Sequence, residues 1–297
     1  MTSAATIPEQ SGGRLTKLYG VLKDIMSRPS GAIGLMLVMV HVVVAVASPW
    51  IVPFDFKRVD VDLMLMPPDG GHWFGTDQLG RDVLTRTLMG GREAMFVTAI
   101  ATPIAVCWGG FLGILLGLAG GRIDDGLMRV VDAFLSLPWI LVMLLVIVIF
   151  GSSMPVLIAA LGFFYGVPVI RVARAAAHTV VARDFVVAAR ARGHGRLAII
   201  RVEILPNVLD ALMVEGAMRW SWMLLAFSSL SFLGFGVSPP TPDWGLMIAD
   251  ARSLMSVGPW AVLAPIVALS SLIVGINLTA DALAKALGID RAQKAPV

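Results

Sequence analysis

Polar residues recur at helical spacing inside runs that are otherwise apolar. Asp125, Arg129 and Asp132 fall at i, i+4 and i+7, so a helix places them on one face and lets Arg129 pair with both carboxylates. Glu215 and Arg219 are four apart, and Asn277 and Asp281 repeat that spacing. Charges at membrane depth are expensive and face a partner or a cavity. Arg129, Asp132, Glu215, Arg219, Asn277 and Asp281 are therefore candidates to line a polar path. The alternative is that they pair locally, within or between helices near the interface. Covalent chemistry has little to work with. One cysteine, Cys107, supports neither a disulfide framework nor a cysteine metal cluster. A phosphate-cradling loop needs Gly-Lys followed by Ser or Thr, and none of the five lysines follows a glycine. Gly151-Ser152-Ser153 could present a nucleophile, but an intramembrane serine needs a histidine on a later helix. The later histidines, His178 and His194, sit in an Arg-rich stretch on the wrong side. His41 is lone and reads as a packing residue. The 16 methionines read as flexible apolar filler.

The elements that must hold these groups follow from composition. Of the 297 residues, 57% are hydrophobic and 14% charged, and the mean hydropathy is +0.84. A soluble domain carries roughly 25% charged residues, so most of this exterior must face lipid. Apolar content this high excludes a disordered chain. A net charge of +3 gives no support to a nucleic-acid partner. A spanning helix needs about 20 mostly apolar residues, and six stretches qualify: 31–52, 94–119, 130–150, 155–176, 209–235 and 260–283. The expected fold class is all-α integral membrane. Lys and Arg flanks set the orientation. Arg14, Lys17, Lys23 and Arg28 precede the first span, and seven arginines from Arg171 to Arg201 lie between the fourth and fifth. The tail adds Lys285, Arg291 and Lys294. Six crossings put these regions on one side, the cytoplasm, with both termini. The expected division is a cytoplasmic segment 1–30, a first span, an extracytoplasmic segment 53–93, a five-helix core 94–285 and a cytoplasmic tail 286–297.

The cytoplasmic loop at 178–207 carries the most information. Asp184 suits an N-cap, and Gly193 suits the residue just past a helix end, where φ is positive. Between them Ala188 and Ala189 are stripped to methyl groups, which would let another protein approach the backbone. A second short helix should run through Leu197, Ile199, Ile200 and Ile204 until Pro206 stops it. Such an elbow, fringed by Arg190 and Arg192, reads as a docking element. A basic loop that merely sets topology would need the arginines but not the alanines or the glycine.

This loop resembles the EAA loop of bacterial ABC-importer permeases. Ala188-Ala189, Gly193 and Leu205-Pro206 match that pattern, with Val187 in place of the usual Glu and Glu203 at a usually hydrophobic position. The segment from His72 to Leu84 resembles the Leu-Gly-Thr-Asp-x-x-Gly-Arg-Asp signature of C-type permeases of dipeptide and oligopeptide importers. The segment from Ser231 to Gly245 is similar to the same family's stretch after the fifth span. Asp132 and the stretch from Asn277 to Asp281 also match, with Ala280 where Gly is usual. The resemblance covers about residues 30 to 290. It implies a type I ABC-importer permease fold of six transmembrane helices in a bacterial inner membrane, and a non-catalytic subunit without its own cofactor. ATP and Mg would be bound by two cytoplasmic ABC ATPase subunits. A homologous B-type permease and an extracytoplasmic solute-binding protein would complete the assembly. The elbow reading and the resemblance together assign ATPase docking to Asp184, Ala188, Ala189, Arg190, Arg192, Gly193, Glu203, Leu205 and Pro206. It implies di- or oligopeptide substrates, while relatives of this branch also carry nickel complexes, glutathione and other small solutes. An ion-coupled carrier is the contrasting reading. It calls for an internal repeat, and none is evident.

Overall fold

The computed structural model describes residues 14–289, with side chains from residue 19 onward. Arg291, Lys294 and the side chains of Arg14 and Lys17 lie outside the described residues. Within them the chain is helical, with no strand beyond an isolated bridge between Thr76 and Asp82. Hydrocarbon offers no partner for backbone N–H and C=O groups, so apolar runs of this length satisfy themselves as helices.

The chain opens with α1 (Arg14–Ser27) and α2 (Pro29–Ile51). An irregular segment leads to α3 (Val83–Gly90), which runs into α4 (Arg92–Ala119). Then follow α5 (Gly121–Ser136), α6 (Trp139–Phe150), α7 (Met154–Val181), α8 (Asp184–Ala191) and α9 (Arg196–Ile199). The last three are α10 (Leu205–Phe232), α11 (Trp244–Ala251) and α12 (Pro259–Ala286). Among the described residues, four stretches are long and apolar enough to cross a membrane: α2, Val83–Ala119, α7 and α12. The α5–α6 pair makes a fifth if counted as one broken span. The run at 209–235 lies on α10, which carries Asp210, Glu215 and Arg219 and is less apolar than the others.

The third apolar run departs from the expected straight helix. It breaks at Leu137-Pro138, and α5 and α6 meet at 82°. Proline disfavours helical φ/ψ in the residue before it, and Leu137 is extended at ψ 136. α10 has a different kind of stop. The helix ends at Phe232, with Gly234 at φ 84 and Phe235 N–H donating to Leu230 O at 2.8 Å, well before Pro239. A left-handed glycine therefore closes the helix, and the prolines act only on the loop beyond.

The tightest pairing is α4 on α7. A Cβ added at Gly113 would lie 2.5 Å from Ile170 O and 2.6 Å from the Ala173 Cβ; Gly109 and Gly117 are similarly close to α7. Small residues every fourth position let two membrane helices approach backbone to backbone. Trp108 locks the pair by donating Nε1–H to Gly162 O at 2.9 Å. Aromatic and aliphatic side chains of α4, α6, α7, α10 and α12, including Met143, Leu161, Phe227 and Leu272, form the main buried core.

Two tryptophans tie the loops to the helices. Trp244 is 3% exposed, covers Gly90 and Gly91, and donates to Thr87 O at 2.8 Å. Trp260 donates to Thr76 O at 2.9 Å. His41 packs as expected: its ring nitrogens lie 2.8 Å from Leu37 O and 3.0 Å from Ala268 O, and the ring meets Trp244 edge-on.

Candidate functional site

The loop after α7 folds as an elbow. Arg183 is the N-cap of α8, and Asp184 is its first helical residue with no side-chain capping bond. The carboxylate therefore acts through the positive helix end, not as the cap expected from sequence. Gly193 has φ 79, and Gly193 N–H donates to Arg190 O at 2.9 Å while His194 N–H donates to Ala189 O at 3.2 Å. That pair of bonds is a Schellman closure. Pro206 does not stop the second helix. A π turn at Ile200–Ile204 joins α9 directly to α10, with Pro206 in the first turn of α10. The wider π turn accommodates the proline, whose ring would otherwise clash with the carbonyl four residues back.

The two alanines have different environments. Ala189 is 0% exposed and sits with Val186, Ile199, Ile200 and Ile204 against Ala173, Ala177 and Val208. Its small size is required by the elbow's own packing. Ala188 is exposed, as are Val187 (54%), Leu197 (57%) and Val202 (64%). Arg190, Arg192, Arg196 and Arg201 are exposed beside them and form no ion pair among the described residues. Glu203 is half-buried, and its backbone carbonyl accepts from Asn207 at 2.7 Å. Leu205 and Pro206 are exposed at the start of α10. The outer face is thus an apolar patch in a fringe of unpaired guanidinium groups.

The intramembrane candidates divide. Glu215 and Arg219 pair as their spacing suggests, Nε to Oε1 at 2.6 Å, with Glu215 8% exposed. Arg129 is exposed and pairs with neither aspartate. Asp132 instead meets Arg171 of α7 at 3.1 Å. Arg174, the next arginine on α7, grips Asp124 with Nε at 2.5 Å and Nη2 at 2.6 Å, and Asp124 is 2% exposed. Asp124 was not singled out from sequence, because its partner lies fifty residues on. Two of the seven arginines assigned to the loop are therefore inter-helix clamps. Asn277 and Asp281 are exposed and do not pair with each other; Asp281 meets Lys285 at 2.6 Å.

The segment before α3 is a polar clasp. Asp77 accepts from Leu79 N–H, Arg81 N–H and Arg81 Nε at 2.8, 3.0 and 2.7 Å. Asp82 caps α3 by accepting from Thr85 N–H at 2.7 Å, and its other oxygen meets His72 Nδ1 at 2.9 Å. Arg86, 2% exposed, reaches Phe56 O and Pro240 O. Nearby, backbone N–H bonds from His72 and Gly71 hold the exposed Asp69 carboxyl below the usual range. Asp243, which caps α11 by accepting from Leu246 N–H, is pushed up to about 6 by burial. The motif residues from 72 to 84 and from 231 to 245 thus tie α3, α11 and α12 into one lid-like layer. Among the described residues no group of three or more His, Cys, Asp or Glu is placed to hold a metal ion.

Long apolar helices, a partly buried cross-helix ion pair and a basic solvent-facing elbow define a multi-pass α-helical membrane protein. The chain belongs to the family described as the binding-protein-dependent transport system inner membrane component, which residues 109–289 match. It is similar to the di/tripeptide transport system permease protein DppC of Pseudomonas aeruginosa, 35% identical over 264 residues spanning 86% of this chain and 87% of that protein. It is also similar to the dipeptide transport system permease protein DppC of Bacillus subtilis, 34% identical over 86% of this chain and 80% of that protein. The nickel transport system permease protein NikC of Escherichia coli is 30% identical over 87% of this chain and 94% of that protein.

Proposed function

We propose that this chain forms half of the pore of an ATP-driven importer of di- or oligopeptides, and that the elbow at residues 184–206 transmits the work of separate ATPase subunits. The exposed apolar patch among unpaired arginines carries the reading, because such a surface is stable only against a complementary protein face. In this reading two cytoplasmic ATPases hold ATP and Mg, a homologous permease supplies the other half of the pore, and an extracytoplasmic binding protein delivers the substrate. α10, about 42 Å long at 1.5 Å per residue, is the sixth crossing. Its charges turn toward the pore or partner helices, and both termini are cytoplasmic. The similarity to a nickel permease supports a second reading, a metal-complex cargo for the same machine.

Ala188→Arg separates docking from folding. Its side chain is exposed, so the variant should assemble with the partner permease yet retain at least tenfold less ATPase on co-purification. Ala189→Arg should destabilise the elbow itself by burying a charge. Wild-type ATPase retention by Ala188→Arg would remove the docking role. For orientation, with Cys107 replaced, Ser238→Cys should react with an impermeant thiol reagent in intact cells and Ala198→Cys should not. The opposite pattern inverts the topology. Uptake of labelled peptide against labelled nickel complex by the reconstituted importer separates the two cargoes.

A further inference from the structure

We propose that the cavity at the α5–α6 bend is a contact site for the carboxylate end of the transported solute, with Arg219 as the recognising cation. This rests on the importer reading above and names the chemistry one part of its pore would recognise. The cavity, about 320 Å³, lies where α5 and α6 part and is walled by Phe134, Trp139, Phe164, Tyr165 and Trp222, with Arg219 of α10 among the lining side chains. That volume is at the lower end of ligand pockets, about 300–1,000 Å³.

Arg219 sits near the middle of the 28-residue α10 and is partly exposed. A cation there cannot face hydrocarbon cheaply, so this side of α10 turns to a watered path or to a partner. Its Nε is committed to Glu215, but among the described residues Nη1 and Nη2 donate to nothing. The guanidinium thus keeps a pair of parallel N–H donors, the fork that fits a carboxylate. The rings around it are braced: Trp139 meets Tyr165 edge-on at 6.3 Å, and the Tyr165 hydroxyl donates to Trp222 O at 3.4 Å. Trp139 and Trp222 remain 40% and 54% exposed, so the pocket is open at the surface of this chain. One cation among aromatic faces suits a small solute with a carboxylate beside an apolar side chain, which describes the C-terminal residue of a short peptide.

The binding protein has its own preference for free carboxylates, so the test must cancel it. Transport of alanyl-phenylalanine and of its C-terminal amide is measured in proteoliposomes for the complete wild-type importer and for Arg219→Gln. The binding protein acts equally in both, so the change in the acid-to-amide ratio isolates Arg219. The expected result is a ratio that falls roughly tenfold, through loss of transport of the acid. If Arg219→Gln fails to assemble because Glu215 is left unpaired, the double variant Glu215→Gln/Arg219→Gln leaves no orphan charge and carries the same expectation. A ratio within about twofold of wild type overturns the site while leaving peptide import standing. A wild-type importer that moves neither peptide overturns the peptide reading and this site together.

Discussion

Substituting Gly193 perturbs one backbone conformation and nothing else. At φ 79 the residue lies in the left-handed region, and a Cβ built on it meets no atom within 4 Å. A side chain there therefore clashes with no neighbour, and its cost is the left-handed conformation alone, roughly 1–2 kcal/mol for an L-residue. Escaping that cost means rotating φ, which would break the bonds from Gly193 N–H to Arg190 O and from His194 N–H to Ala189 O. Each is worth roughly 0.5–1.5 kcal/mol net. Either way the closure of α8 weakens by at least about 1 kcal/mol, which lowers the elbow's docking-competent population by roughly five- to thirtyfold if it is marginal. The order is fixed by side-chain type: Gly193→Asn should be mildest, since Asn tolerates this region, Gly193→Ala intermediate, and Gly193→Val worst because its branched Cβ adds crowding. Helix content and assembly with the partner permease should hold, because the long helices do not depend on this turn. The assay is binding-protein-stimulated ATP hydrolysis by the reconstituted importer, with ATPase co-purification beside it. Full activity in Gly193→Val, or equal damage from Asn and Val, refutes the reasoning.

Burial raises the folded-state pKa of Asp243 to about 6, against 3.8 for an ordinary carboxyl. The fold therefore holds a proton that the unfolded chain has released, so this residue's contribution is best below about pH 4. It is lost as the pH rises toward 6, by roughly 3 kcal/mol. Asp243→Asn keeps the cap oxygen and should flatten the dependence of the melting temperature on pH between about 4 and 6; an unchanged slope counts against it. Gly113→Val should cost roughly 2–3 kcal/mol or more by forcing α4 from α7, read as a drop in thermal stability of the purified protein. Gly126→Ala is its control, as nothing lies within 4 Å of the added Cβ, and an equal drop there would discount the close-contact argument.

What the sequence determined by itself is the long helices outside the run at 130–150, and the closure at Gly193. Lipid supplies no hydrogen bonds, so an apolar run of membrane length has one solution, and the helices α2, α4, α7, α10 and α12 cover the corresponding runs within a few residues. The turn at Gly193 was legible because left-handed backbone selects for glycine locally. The Glu215–Arg219 pair was legible because both members lie on one helix turn. Gly109, Gly113 and Gly117 also stood in the sequence as a small-residue stripe, a signal for the α4–α7 contact that hydropathy does not weigh. The tertiary structure alone decided the rest. Asp124 finds Arg174, and Asp132 finds Arg171 in place of Arg129, because α5 lies across α7, and no spacing rule spans forty or fifty residues. Ala188 and Ala189 look alike in a string, yet one faces out and the other is sealed inside, since only the docking of α8 on α7 and α10 gives the helix an inner face. The aromatic cavity beside Arg219 likewise exists only once separate helices meet. Local conformation depends on neighbours along the chain; pairing and burial depend on neighbours in space.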